Sequence, residues 1–379
     1  MAAGTGTKLI ADDLWQAVIL FYFCPSIYFM NKIIRTGICS YGMSGKLFHA
    51  PFIQVHPGFE LGGIVERNND DSRKRYPGSK LYRSVEELCN DRDIELIIVN
   101  TPSYLHFEHA KLAIQAGKNL LIEKPFTIAV SEAEELMAMA EKQKVQITIY
   151  QNRRYDGDYK AVKKVVNEKL LGDIRYVEIK YERYRPGYGG KPHKEGSLPG
   201  AGNMYDLSPH LVDQALQLFG WPNALFADIW KMRGGDVVPP DYFEMLFYYD
   251  NLRVSLTASS VCREPVWGYT LQGMKGTFLQ QRSDMQEQQL LAGVVPSLQT
   301  WCPRTSKPDG LLHTEINGEV IRKETTSEPG NYMGIFDDLY KSLTGQGPNP
   351  VPPGDGLKTV KIIEAGFESA KTGKVISLK

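Results

Sequence analysis

Between residues 31 and 150 the chain repeats one pattern: a short apolar run, a stretch with helical spacing, then another apolar run. Strands separated by whole helices cannot close as hairpins, so they pair in parallel and cross over through the helices. The runs at 33–39, 59–65, 94–100, 119–123 and 145–150 predict five strands of a doubly wound parallel sheet. The helix over 103–116 stops at Gly117, a C′ glycine, and Ser131 with Glu134 reads as a capping box opening the next helix, which runs to about residue 142.

After Gln151 the texture changes. A helix over 158–171 is followed by long alternating strands such as 174–184 and 242–249, and Asp250-Asn251 makes a tight turn into 252–258, so part of this second sheet is antiparallel. A helix over 204–219 closes at Gly220 and Pro222, and a Pro/Gly-rich connection over 345–356 leads to a last helix over 356–371. The reading is an α/β protein with a dinucleotide-fold first domain at 30–150 and a second α/β domain at 151–379 carrying a large, mostly antiparallel open sheet.

Residues 1–29 stand apart. The run at 14–30 is apolar, but Asp12 and Asp13 precede it where a signal peptide carries positive charge, and Pro25 interrupts a span already short for a bilayer. With Met30 just before the first strand, the expectation is a leader outside the fold and no membrane anchor in the mature protein. Forty-four basic and 44 acidic residues cancel, which argues against a nucleic-acid partner and for a small molecule. Five widely spaced cysteines without a C-x-x-C pair argue against a disulfide framework or zinc site and for a reducing, cytoplasmic setting.

Ser40-Tyr41-Gly42-Met43-Ser44-Gly45 follows the first strand and precedes a helix, where backbone N–H groups at a helix start receive a pyrophosphate. The strict fingerprint has glycine where Ser40 stands, so the turn must avoid positive φ there; a plain tight turn is the alternative. Glu66 closes the second strand where an acid would meet the ribose 2′-hydroxyl, while Arg67 could receive a 2′-phosphate. Thr101, Pro102 and His106 follow the third predicted strand at the carboxyl edge, and Glu123-Lys124-Pro125 ends the fourth. A lysine directly after a buried strand needs a partner or a task, such as hydrogen bonding to an oxygen that gains negative charge. Asp206 and Asp213 flank His210 at helical spacing, which suits a general base or else an exposed i,i+4 contact. His106 and His109 share a helix face without a metal-ligand constellation.

The order of this loop, T-P-x-x-x-H, E-K-P, Tyr150-Gln151-Asn152-Arg153-Arg154 and D-x-x-x-H resembles the Gfo/Idh/MocA oxidoreductases, from about residue 31 to the C-terminus. Within that family the loop, Q-N-R-R and Tyr184-Arg185-Pro186 are similar to the NADP-dependent scyllo-inositol dehydrogenase branch. The resemblance implies NAD or NADP, with a lean to NADP, and hydride transfer from a secondary hydroxyl of a sugar or cyclitol. It implies Lys124 as catalytic lysine, His210 as acid/base and Asp206 as the positioning carboxylate, with Tyr150, Asn152 and Arg153 at the nicotinamide end. The expected cofactor site joins Lys124, Asn152 and Arg153 to Ser40–Gly45, Glu66, Arg67, Thr101, Pro102, His106 and Glu123. A homodimer or homotetramer is implied as well. NAD-assisted glycoside cleavage, dihydrodiol oxidation and a cofactor-binding regulator without turnover are the rivals. Two departures from the family pattern are Ser40 and Pro209; the latter should start the helix near His210, so that Asp206 and His210 meet across a helix start.

Overall fold

Six parallel strands, β1 (Ile34–Ile38), β2 (Phe59–Val65), β3 (Lys80–Tyr82), β4 (Leu96–Val99), β5 (Asn119–Glu123) and β6 (Ile147–Tyr150), form one sheet in the order β3-β2-β1-β4-β5-β6. This computed structural model describes residues 32–299 and 301–379, so the leader expected at 1–29 lies outside the described residues. The chain order reverses between β1 and β4, which opens a crevice at their carboxyl ends. All five expected strands are present. β3 is additional: at three residues it is too short for any periodicity to announce it.

The helix after β1 carries an irregularity that the sequence reading missed. It is helical from Met43, takes a π form over Gly45–His49, and returns to α over Ala50–Val55. Pro51 has no N–H and its ring would strike the Leu47 carbonyl in a regular helix, so a wider turn just before it relieves the clash. The Ala50 N–H accordingly donates to the Gly45 carbonyl, and the Phe48 carbonyl accepts the Tyr150 hydroxyl at 3.1 Å. The helix expected to open on Ser131 and Glu134 begins instead at Val130 with Ala129 as its cap. A tertiary partner displaces the local box: the Val130 N–H donates to Glu364 Oε1 at 2.7 Å.

The second sheet has nine strands: β7 (Ile174–Glu182), β8 (Ala224–Trp230), β9 (Tyr242–Tyr248), β10 (Arg253–Ser259), β11 (Tyr269–Gly273), β12 (Gly276–Gln280), β13 (Gly310–Ile316), β14 (Glu319–Thr325) and β15 (Ile376–Ser377). Their order is β14-β13-β12-β11-β7-β10-β9-β8-β15, and every pairing except β7 with β10 is antiparallel. β9 and β10 are the expected hairpin. Helices Gly157–Asn167, Ser208–Phe219 and Pro353–Thr372 pack on one face, burying Val177, Ile179, Phe243, Phe247 and Leu256.

The last helix serves both sheets. Val360 packs into the core of the first with Phe126 and Ile149, whereas Ile362 and Ile363 pack into the core of the second. Helix Met333–Leu343 also returns to the first sheet, where Phe336 stacks on Phe52 with ring centroids 5.3 Å apart. Among the described residues no helix is long and apolar enough to cross a membrane.

Candidate active site

The loop after β1 has the turn that Ser40 requires: Ser40 is absent from the residues with positive φ, and so are Gly42 and Gly45. Gly45 is nevertheless obligatory, because a Cβ there would lie 2.1 Å from the Ser40 carbonyl oxygen. Gly42 is the opposite case, since a Cβ would meet only Ser40 Oγ at 3.5 Å. Its freedom keeps the backbone open toward the crevice. Asn100, at the end of β4, braces the turn by donating from Nδ2 to the Ser40 carbonyl (2.8 Å) and Ser44 Oγ (3.2 Å). A helix start with free N–H groups, an unobstructed glycine and a braced turn fits a dinucleotide pyrophosphate. Tyr41 packs edge-on to Tyr76, burial pushes its hydroxyl up to about 12, and Met43 is exposed.

At the end of β2 the Glu66 carboxylate is buried and accepts the Ser72 N–H at 2.8 Å, while Arg67 is exposed. Pro102 caps a 3-10 turn, and Thr101 Oγ1 bonds His109 Nδ1 at 2.9 Å. His106 does not face the crevice. It is buried, with Nδ1 on the Pro125 carbonyl (2.8 Å) and Nε2 on the Thr101 carbonyl (2.9 Å), so it ties the loops after β4 and β5 together.

The end of β5 places Lys124 across from the second sheet. Its Nζ donates to the Asp206 carbonyl at 2.6 Å and to Asp206 Oδ1 at 3.2 Å. Burial depresses the Lys124 ammonium, with Asp206 pulling the other way. Glu123 is held by a histidine the sequence reading missed: buried His49, on the π turn, approaches its Oε1 with Nε2 at 2.9 Å. Burial alone would raise the Glu123 carboxyl, but His49, Lys124 and His106 together hold it below the usual carboxylate value.

Asp206 ends a short helical turn, Asn203–Asp206, and Ser208–Phe219 starts anew with Pro209 in its first turn, so the helix start that Pro209 required falls between Asp206 and His210. Burial would raise the Asp206 carboxyl, yet Lys194 and Lys124 hold it well below the usual carboxylate range. Lys194, whose Nζ lies 2.6 Å from Asp206 Oδ1, carried no signal in the sequence. His210 is buried, its Nδ1 has no hydrogen-bond partner, and burial, then Lys124 and Arg153, hold it well below the usual histidine range. The imidazole is therefore neutral near pH 7. Asp213 does not flank it as expected: its two oxygens grip Arg154 Nε (2.8 Å) and Nη2 (2.5 Å), a bidentate pairing that outcompetes an i,i+3 contact. Asn152 is buried in a 3-10 turn, and Arg153 is committed to Asp156 (3.2 Å), Tyr181 (3.0 Å) and Glu287 (2.8 Å).

Residues 34–151 match the Gfo/Idh/MocA model described as an oxidoreductase family's NAD-binding Rossmann fold, and residues 163–378 match that family's C-terminal alpha/beta domain. The chain belongs to the Gfo/Idh/MocA oxidoreductase family. Family relatives align almost end to end. The uncharacterized oxidoreductase YdgJ of Escherichia coli is 35% identical over 90% of this chain and 98% of its own length. The scyllo-inositol 2-dehydrogenase (NADP(+)) IolW of Bacillus subtilis is 34% identical over 91% and 96%. A crystal structure of a Bacteroides fragilis protein superposes with a TM-score of 0.83 at 40% identity, covering 92% of this chain and 100% of that one. This Gfo/Idh/MocA member is thus an NAD(P)-binding oxidoreductase.

Proposed function

We propose that this protein moves a hydride between a secondary hydroxyl of a sugar or cyclitol and a nicotinamide dinucleotide. The observation that carries the reading is Lys124 Nζ, at the end of β5, meeting Asp206 Oδ1 at 3.2 Å beside buried His210 with its unpartnered Nδ1. When bound, the nicotinamide supplies the hydride acceptor. Lys124 Nζ donates to the substrate oxygen as it gains charge, and Asp206 holds that ammonium in place. His210, with Nδ1 unpartnered, takes the hydroxyl proton. Residues 30–150 hold the dinucleotide through the turn at 40–45, and residues 151–379 form the substrate side.

NADP is the favoured cofactor: the Glu66 carboxylate is committed to the Ser72 N–H, while Arg67 is exposed at the same strand end. The likeness to IolW, an NADP-dependent scyllo-inositol dehydrogenase by name, supports both cofactor and substrate class. Unpaired Cys39, Cys89, Cys262 and Cys302 agree with a cytoplasmic setting. Exposed Trp230 and Trp267 on the second-sheet side suit a homodimer or homotetramer.

The test is a panel of inositols, hexoses and their acids with NAD and with NADP, followed by absorbance of the reduced nicotinamide. Reduction with at least one polyol is expected. Cofactor binding without reduction by any of them would transfer the protein to the non-catalytic class.

A further inference from the structure

More positive charge surrounds the reacting end than the carboxylates there balance. The Asp206 carboxylate has Lys194 Nζ at 2.6 Å, Lys124 Nζ at 3.2 Å and Arg183 Nη2 at 4.0 Å. Three cations meet one anion. Glu123, hydrogen bonded to His49, is a second carboxylate acting on Lys124 and Lys194, and Arg185 adds to the positive potential at both Arg183 and Lys191. Arg154 and Arg233, by contrast, each have two carboxylates, Asp213 and Asp355 for the first and Glu195 and Asp241 for the second.

Arg183 stands 4.0 Å from the Asp206 carboxylate, and its buried Nε has no hydrogen-bond partner. Burial, partly offset by Asp206, depresses its guanidinium. The side chains of Lys124, Asp206, Arg183 and Lys194 remain 15%, 18%, 26% and 33% exposed, so an anion can approach the surplus without entering a closed core. Uncompensated charge in such a place is costly until a counter-charge arrives.

The lysines are also held, rather than free at the surface. Lys194 lies in the segment 185–202, which Arg233 fastens by donating to the Arg185 carbonyl (3.1 Å), the Gly187 carbonyl (3.0 Å) and Glu195 Oε1 (2.9 Å). The Gly202 N–H closes the segment on the Lys194 carbonyl at 2.8 Å. At its other side Lys191 Nζ is 3.5 Å from Met43 Sδ, so the segment reaches from the substrate side to the dinucleotide turn.

We propose that the substrate is an anionic polyol, a sugar or cyclitol bearing a carboxylate or phosphate ester, whose charged group is seated by Lys194 and Arg183 while its reacting hydroxyl meets Lys124 and His210. This rests on the oxidoreductase reading above. Lys194 is then a specificity-determining residue: charge-assisted hydrogen bonds of this kind separate acid from neutral parent by about tenfold or more.

Calorimetric titration of the full-length protein, with reduced NADPH present so that the polyols bind without turning over, tests it. Gluconate and glucuronate form the carboxylate arm, glucose 6-phosphate and inositol 1-phosphate the phosphate arm, and glucose and myo-inositol the neutral references. At least one anion is expected to bind about tenfold tighter than its neutral parent, and the arm it belongs to identifies the group. Lys194→Met should shrink that ratio to less than about threefold, whereas Lys194→Arg should retain it. Equal binding of anion and parent, or no binding of either, overturns the proposal. Turnover is read separately: reduction of NADP by neutral polyols without anion preference leaves the oxidoreductase reading standing alone. Anion binding lost in Lys194→Met, without reduction by any polyol, leaves the cationic seat and removes that reading.

Discussion

Lys124 and His210 set the pH range over which the site can work. Burial and neighbouring cations hold His210 below the ordinary histidine value, so it stays unprotonated as pH falls through 6.5, and the acid limb of kcat/KM should lie below that point. Lys124 is also depressed, so the ammonium is lost on the alkaline side below the ordinary lysine value of 10.5. A pH–rate profile with both limbs so placed is expected; an acid limb at or above 6.5 would remove His210 from the role of base. Lys124→Ala should lower turnover at least about a hundredfold, measured as kcat at saturating substrate, since it deletes the donor to the developing oxyanion. In Asp206→Asn the charge that opposes Lys124's desolvation is gone, so the alkaline limb should move to lower pH, a shift that a general loss of packing would not produce.

The two glycines of the dinucleotide turn differ in what they do, and substitutions should separate them. Gly45→Ala forces a Cβ to 2.1 Å from a backbone oxygen, and overpacking of this kind costs about 1–3 kcal/mol, visible as a lower denaturation midpoint. Gly42→Ala meets nothing closer than 3.5 Å, so stability should hold while the dissociation constant for NADP rises at least about tenfold. An unchanged dissociation constant would refute the role given to that turn. Strand β1, the glycine spacing and the helix after it were legible because each has a local cause. The π turn at Gly45–His49 was not, although Pro51 was its one available signal. His49 escaped for the same reason, since its meeting with Glu123 depends on the extra residue in that turn. Lys194 lies in a segment without periodicity, and only the tertiary fold carries it to Asp206.

Across the whole molecule the two cores are joined by one helix, Pro353–Thr372, so they should unfold together. Ile363→Ala empties a fully buried position and should cost about 2–5 kcal/mol, and calorimetry should show one transition moving down rather than two separating. The change of texture at Gln151 was visible in the sequence, as were both sheets' types. What it concealed is that residues after 330 return to the first sheet, because apolar spacing identifies a helix's buried face without saying which sheet covers it. Gly356 makes the point at one position: a Cβ there would sit 2.9 Å from Ile149 and 3.0 Å from Phe126, both on the first-sheet side. Gene segments exchanged with a relative at Gln151 would therefore import a foreign last helix into a native first core. A working chimera has to trade Phe126, Ile149 and the 351–360 stretch as a set, which makes those positions bound to vary together although some 200 residues separate them along the chain.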